Sequence, residues 1–367
     1  MDGRVLTRRG LNRATLARQH LLARTGDDVA TVVGHLVGLQ AQAAMAPFVG
    51  LWTRIKDLTR DDVAAPIGSR EIVKATLMRG TLHLARAADY PVLRSTLQPV
   101  LTAALEDVAS RRGGVPDVPA LVTAARELLA TPPRSFTEIT ARLTELEPDG
   151  DPGVMRYAVR THLPLVQVPT SAPWCFPGNP VWSLADDWLG GATEAPPDGA
   201  ALVRRYLAAF GPATAKDVAT WCYLRDLDAV VAALRDELVV HRDEKGTELF
   251  DVQGAPLPDD DADAPPRFLP EFDNLLLSHT DRRRFVPEEH RKRVFLPGLR
   301  VAATLLVDGS VAGTWTVERQ GKKLATLRLS PFSPLPRATR AAVLDEAEPL
   351  VRFAAPDARA VAVEVAT

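Results

Sequence analysis

Residues 201–252 read ALVRRYLAAFGPATAKDVATWCYLRDLDAVVAALRDELVVHRDEKGTELFDV. The stretch opens with a helix that the Gly-Pro pair at 211–212 brings to a turn. Thr214 then stands where a helix N-cap belongs, with Asp217 in the first turn and Ala215, Val218 and Ala219 able to face a core. A further helix follows, and then two extended runs, LVVHRD and TELFDV, joined by the short turn EKG. Helices followed by a hairpin predict a winged helix, with FGPATAKDVATW as its helix-turn-helix and EKG as the tip of its wing. Winged helices bind DNA in many proteins and serve as protein-interaction scaffolds in others, so the architecture precedes the role.

The same order occurs upstream. After RRGGVPDVP (111–119), a plausible boundary, come the helix PALVTAARELLA and then PRSFTEITARLTEL, where Ser135 and Glu138 have capping-box spacing. RYAVRTHLPLVQVP runs from helix into strand, and PVWSLADDWL supplies another extended piece. The first 110 residues read as helix-rich, with TRRGLNRATLARQHLL, GDDVATVVGHLVGL, TRDDVAAPIGS and REIVKATLM as helices before the short alternating strand in RGTLHLARAADY. From about residue 267 the chain turns β-rich, with hairpin signals at Asp308-Gly309 and Gln320-Gly321, then a final helix and strand. The fold class expected is α+β, with winged-helix units over 1–112, 113–195 and 196–260 and a β-rich region over 261–367.

Composition excludes several classes. With 46% hydrophobic and 25% charged residues the chain is ordinarily globular, and charged residues or glycine break every apolar run short of membrane length. The basic N-terminus lacks the apolar centre and cleavage site of a signal peptide. The two cysteines, Cys175 and Cys222, are far apart, and the seven histidines are scattered; no metal, no cofactor and a cytoplasmic location are expected. No Walker loop, G-x-S-x-G elbow or G-x-G-x-x-G is present. The formal net charge of −2 hides an uneven distribution: PDDDADAPP (258–266) is acidic, while DRRRFVPEEHRKR (281–293) is basic. Such a run makes either a solvated loop or an anion-binding face.

One stretch carries unusual polar chemistry. In GLQAQAA (38–44), Gln40 and Gln42 flank a single alanine at the end of an apolar helical run. On a continuing helix the two amides diverge; if the chain becomes extended here, they address the same side. They either satisfy backbone groups at a helix end or converge on a small object such as a water molecule.

LVGLQAQ, PFVGLWTRI, RGTLHL, FGPATAKDVATW, LPEFDNLLLSHTDRRR and LLVDGSVAGTW, in this order from about residue 10 to 360, resemble the bacterial winged-helix DNA glycosylases of the AlkZ type. The resemblance implies three tandem winged helices in a C-shaped clamp acting as a monomer on double-stranded DNA. It implies removal of N7-alkylated guanine, including unhooking of interstrand crosslinks, with a Gln-x-Gln element as the catalytic group. Gln40 and Gln42 match that element, and Ala41 stands where a larger aliphatic is the rule. DNA contacts are expected from Arg319, Lys322 and Lys323 around the second hairpin and from Arg282, Arg283 and Arg284. His83 is expected either to border the lesion pocket or to be a core histidine. The rival functions are a non-catalytic DNA-binding regulator and a resistance protein that sequesters a genotoxin.

Overall fold

The helices and hairpin read in 201–252 form in that order in the computed structural model, which describes residues 3–130 and 132–366. Helices Gly199–Phe210, Ala215–Cys222 and Leu227–Ala233 precede the antiparallel strands Val239–Asp243 and Glu248–Asp251. The second helix starts where its cap dictates. Asp217 N–H donates to Thr214 Oγ1 at 3.1 Å, and Thr214 N–H donates back to the Asp217 carboxylate at 2.9 Å. Tyr206, Phe210 and Trp221 fill the core beneath these helices.

The N-terminal residues depart from the expected unit boundaries. Val5–Leu6 adds a parallel strand to Val239–Asp243, and helix Arg8–Arg18 packs beside Gly199–Phe210. The reason is charge: Arg18 is buried and its guanidinium meets Asp251 through two bonds of 2.7 and 2.8 Å. A buried arginine without that carboxylate would be strongly destabilising, so the helix follows its partner.

The first two expected units share one antiparallel sheet. Its strands run Leu39–Gln40, Leu82–Arg86, Ile72–Thr76, Leu165–Gln167, Val181–Leu184 and Arg134–Ser135, joined across the middle by Lys74↔Gln167 and Ala75↔Val166. Residues 70–78, read as a helix from sequence, therefore contain a strand. Ile72 and Val73 are β-branched, and every residue of Ile72–Thr76 is buried, which hides the alternation that marks a strand. The extended piece at 180–189 is extended only through Leu184; Ala185–Leu189 is a short helix.

The β-rich C-terminal region forms a five-stranded sheet in the order Arg267–Leu269, Thr304–Val307, Ser310–Gln320, Leu324–Pro331, Ala360–Val365. Its last pair is parallel, reached through helix Arg337–Ala354. The core is continuous with the first unit, since Phe48, Leu51 and Trp52 pack in one cluster with Phe268, Trp315 and Val351. A separate small hairpin, Phe295–Leu296 with Arg300–Val301, projects from this region.

Candidate active site

Helix Val29–His35 begins at Asp28, whose side chain accepts the Thr31 N–H at 2.7 Å, and it ends within two turns. Gly38, at φ +98°, then redirects the chain. Only glycine fits: a Cβ there would stand 2.8 Å from the Leu84 carbonyl oxygen. Asn274 Nδ2 donates to the Gly38 carbonyl at 2.7 Å and pins the turn. The chain thus leaves the helix immediately before the two glutamines, and Leu39–Gln40 becomes the edge strand, with Gln40 opposite His83.

Both amides gather at the start of strand Leu82–Arg86, but their surroundings differ. Gln40 is buried, and its Oε1 accepts a bond of 2.6 Å from Arg79 Nη2. Because a guanidinium only donates, this contact fixes which end of the Gln40 amide is oxygen. Its Nε2 has no hydrogen-bond partner among the described residues. Gln42 is exposed, and its Oε1 receives only a long 3.4 Å contact from the Leu82 N–H. Between them Ala41 is buried, tied by its N–H to the Leu82 carbonyl at 2.7 Å. One amide carbonyl is therefore clamped and the other is loosely held.

Arg79 was missed by sequence reasoning. It lies in the tight turn Met78–Gly80 in a left-handed conformation (φ +58°), a strained state for a non-glycine residue that costs on the order of 1–2 kcal/mol. Its second bond, 2.5 Å from Nη1 to the Trp221 carbonyl, ties the glutamine strand to helix Ala215–Cys222. Burial pulls the guanidinium down to about 10, which leaves it charged at neutral pH. Its one visible signal in the sequence is the Arg-Gly pair that opens RGTLHL.

His83 is fully buried beside Gln40, with Nδ1 3.0 Å from the Thr81 carbonyl. Burial, reinforced by the Arg79 charge, drives its pKa to about 3, so it is neutral at physiological pH. Nδ1 carries the proton to Thr81, and Nε2 is a buried acceptor with no partner among the described residues.

A cavity of about 910 Å³ opens beside Arg79, bounded by Val100, Ala104, Tyr157, Tyr223 and Leu299 among others. Tyr223 and Leu299 both have positive φ, and Leu299, at the tip of the small hairpin, is 94% exposed. No charge or motif singles out Leu299 in the sequence.

The expected DNA-contacting residues fall in several places. Arg319 pairs with Asp357 at 2.5 Å and borders a different cleft, one that also holds Arg60 and Trp174. Lys322 and Lys323 are exposed in the turn of the long hairpin. The three consecutive arginines separate because the 3-10 turn Arg282–Arg284 points successive side chains about 120° apart. Arg282 stacks 4.3 Å over the Phe295 ring and donates to the Leu276 carbonyl at 2.7 Å, while Arg283 is exposed and paired with Asp281. Arg284 is buried, bonded to Thr15 Oγ1 at 3.1 Å, the Pro212 carbonyl at 3.2 Å and His279 Nε2 at 2.8 Å. These bonds occupy Nη1 and part of Nη2, so Arg284 is mostly committed to packing, while its guanidinium also borders a second cleft beside Thr280 and Asp281.

A mixed α+β fold with uncharged amides at a sheet edge, one clamped by a cation beside a large cavity, meets its match among DNA repair enzymes. The model of the AlkZ-like DNA glycosylases matches residues 33–353, and the chain belongs to that family. It is a DNA glycosylase. An interstrand DNA cross-link repair glycosylase of Streptomyces sahachiroi is 28% identical, over 92% of this chain and 94% of that protein. The solved structure of the Streptomyces sahachiroi DNA glycosylase AlkZ superposes with a TM-score of 0.81 at 23% identity, covering 99% of this chain and all of that one. Among the described residues no helix is long and apolar enough to cross a membrane.

Proposed function

We propose that this glycosylase hydrolyses the N-glycosidic bond of N7-alkylated guanine in duplex DNA, interstrand crosslinks included, with Gln40 and Gln42 as its catalytic amides. It acts as a monofunctional, monomeric, cytoplasmic enzyme whose three winged-helix units form a C-shaped clamp on the DNA. The role follows in repair or in resistance to a genotoxic natural product. The observation that carries the reading is the pair of unlike amides: Gln40 clamped by Arg79, Gln42 exposed with a nearly free carbonyl.

The chemistry needs little more. An N7-alkylated guanine is cationic and departs as a neutral base, so no general acid is required. His83, held neutral by burial, supplies no proton at physiological pH. Positive charge develops on the sugar as the bond breaks, as in glycoside hydrolysis. The Gln42 carbonyl accepts a hydrogen bond from the attacking water and turns the negative end of its dipole toward that charge. Gln40 presents its amide N–H groups at a fixed angle. Exposed Lys322, Lys323 and Arg283, together with Arg282 and Arg319, hold the phosphates.

The test is base release from a duplex containing one N7-alkylguanine, read by alkali-dependent strand breaks and mass spectrometry of the freed base. The wild type releases base above the spontaneous rate, while Gln40→Ala and Gln42→Ala bind DNA but release base slowly. No release from several N7 adducts, with DNA binding intact, overturns the reading in favour of sequestration.

A further inference from the structure

Among the described residues the Arg79 guanidinium has no anionic partner. No ion pair among the described residues includes it, and its two hydrogen bonds go to neutral oxygens, Gln40 Oε1 and the Trp221 carbonyl. Asp107 and Asp226 border the same cavity, but Asp107 is paired with Arg111 and Asp226 is exposed. The permanent charge that acts on it is another cation, Arg282, whose repulsion adds to the cost of burial. A half-buried cation without a counter-charge is expensive to keep, and its backbone is left-handed as well. Beside a sugar that becomes positive in the reaction, it would also oppose the chemistry by like-charge repulsion.

Both costs disappear if an anion arrives with the substrate. Two of the five guanidinium N–H groups are engaged, the residue borders the large cavity, and every nucleotide of the substrate brings a phosphate. We propose that Arg79 is a positioning residue for Gln40 and the receptor for a backbone phosphate of the lesion-bearing strand. Docking of the strand neutralises the guanidinium and holds the Gln40 amide in its working orientation in a single event. This rests on the reading of Gln40 as a catalytic amide.

The experiment uses the full chain in excess over a duplex with one N7-methylguanine, and compares wild type, Gln40→Ala, Arg79→Met, Arg79→Lys and the double variant Gln40→Ala/Arg79→Met. Arg79→Met lowers single-turnover base release roughly 10- to 100-fold. In the Gln40→Ala background the same change costs almost nothing, because the two residues act as a unit. The slope of log affinity against log salt becomes shallower by about 0.9 in Arg79→Met and stays at the wild-type value in Arg79→Lys. Arg79→Lys nonetheless remains slow, since a point charge cannot span both oxygens as the fork does. In a further variant, Arg79→Ala, added guanidinium ion restores part of the rate, an effect that a purely structural role would not produce. Equal losses in both backgrounds overturn the positioning role, and an unchanged salt slope overturns the phosphate. Full activity in Gln40→Ala overturns the catalytic reading itself, together with positioning through it, and is seen before any Arg79 variant is measured. If Arg79→Met does not fold, Arg79→Lys alone decides: wild-type rate there removes the need for the fork.

Discussion

The hairpin Phe295–Val301 and the hairpin Ser310–Pro331 carry opposite tips. The first is short and ends in Leu299, an apolar side chain 94% exposed on a left-handed backbone, beside the cavity that Arg79 borders. The second is long and ends in Lys322 and Lys323, with Arg319 tied to Asp357 beside a different cleft. Charge at a hairpin tip gives affinity without discrimination, because any phosphate satisfies it. An exposed leucine in a strained turn gains nothing from water and gains from inserting into a stack or a groove. On the function proposed above, the charged tip holds DNA and the apolar tip addresses the damaged position.

The division can be broken in order of expected effect. Gln42→Ala, at the amide with the free carbonyl, is expected to lower base release about 100-fold or more while DNA affinity stays unchanged, by single-turnover assay and titration. Leu299→Ala should lower the rate about 10-fold with little change in binding; if affinity falls and the rate at saturation does not, the short hairpin is merely another grip. Lys322→Ala with Lys323→Ala should do the reverse, weakening binding a few-fold, equally for damaged and undamaged duplex, with a shallower salt slope.

The smallest expected effect is that of pH on rate. His83 titrates at about 3 and Arg79 at about 10, and the amides do not titrate, so base release should be flat from about pH 5 to 8.5. A bell-shaped profile in that window would point to an acid or base elsewhere. Stability behaves differently. His20, His83 and His279 are driven by burial from the ordinary 6.5 to about 4, 3 and 3. Below pH 6.5 the unfolded chain takes protons that the folded one refuses. Stability is complete above that value; the fully buried His83 and His279 each remove about 1.4 kcal/mol per pH unit as pH falls toward their folded values, and the part-exposed His20 removes less because solvent screens its charge. Thermal melts between pH 7 and 5 should show the decline, less steeply in His83→Asn.

Much of this molecule is legible in its sequence. The capped helix at Thr214, the hairpin at 244–246 and the exit from the helix before Gln40 follow from local rules that the structure obeys. What could not be read is long-range. Arg79 acquires its meaning from Trp221, which reaches it from a different sheet and helix set. The run Arg282–Arg284 looks uniform until the turn sends one side chain onto Phe295, one into solvent and one into the core. Ile72–Thr76 reads as helix because burial on both faces removes the alternation that reveals a strand. Leu299 escaped notice because exposure is not a property of sequence.

Helix Arg8–Arg18 has a consequence for biosynthesis. Arg18 meets Asp251, 233 residues later, and Arg13 meets Asp308, 295 residues later. At about 5–20 residues per second, the ribosome makes Arg18 wait on the order of 10–50 s for its carboxylate. Throughout that interval the helix carries uncancelled positive charge, which keeps its apolar face from finding the wrong neighbour. The same two arginines that the finished core buries are thus the solubilising groups of the nascent chain, hydrated until their carboxylates have been made.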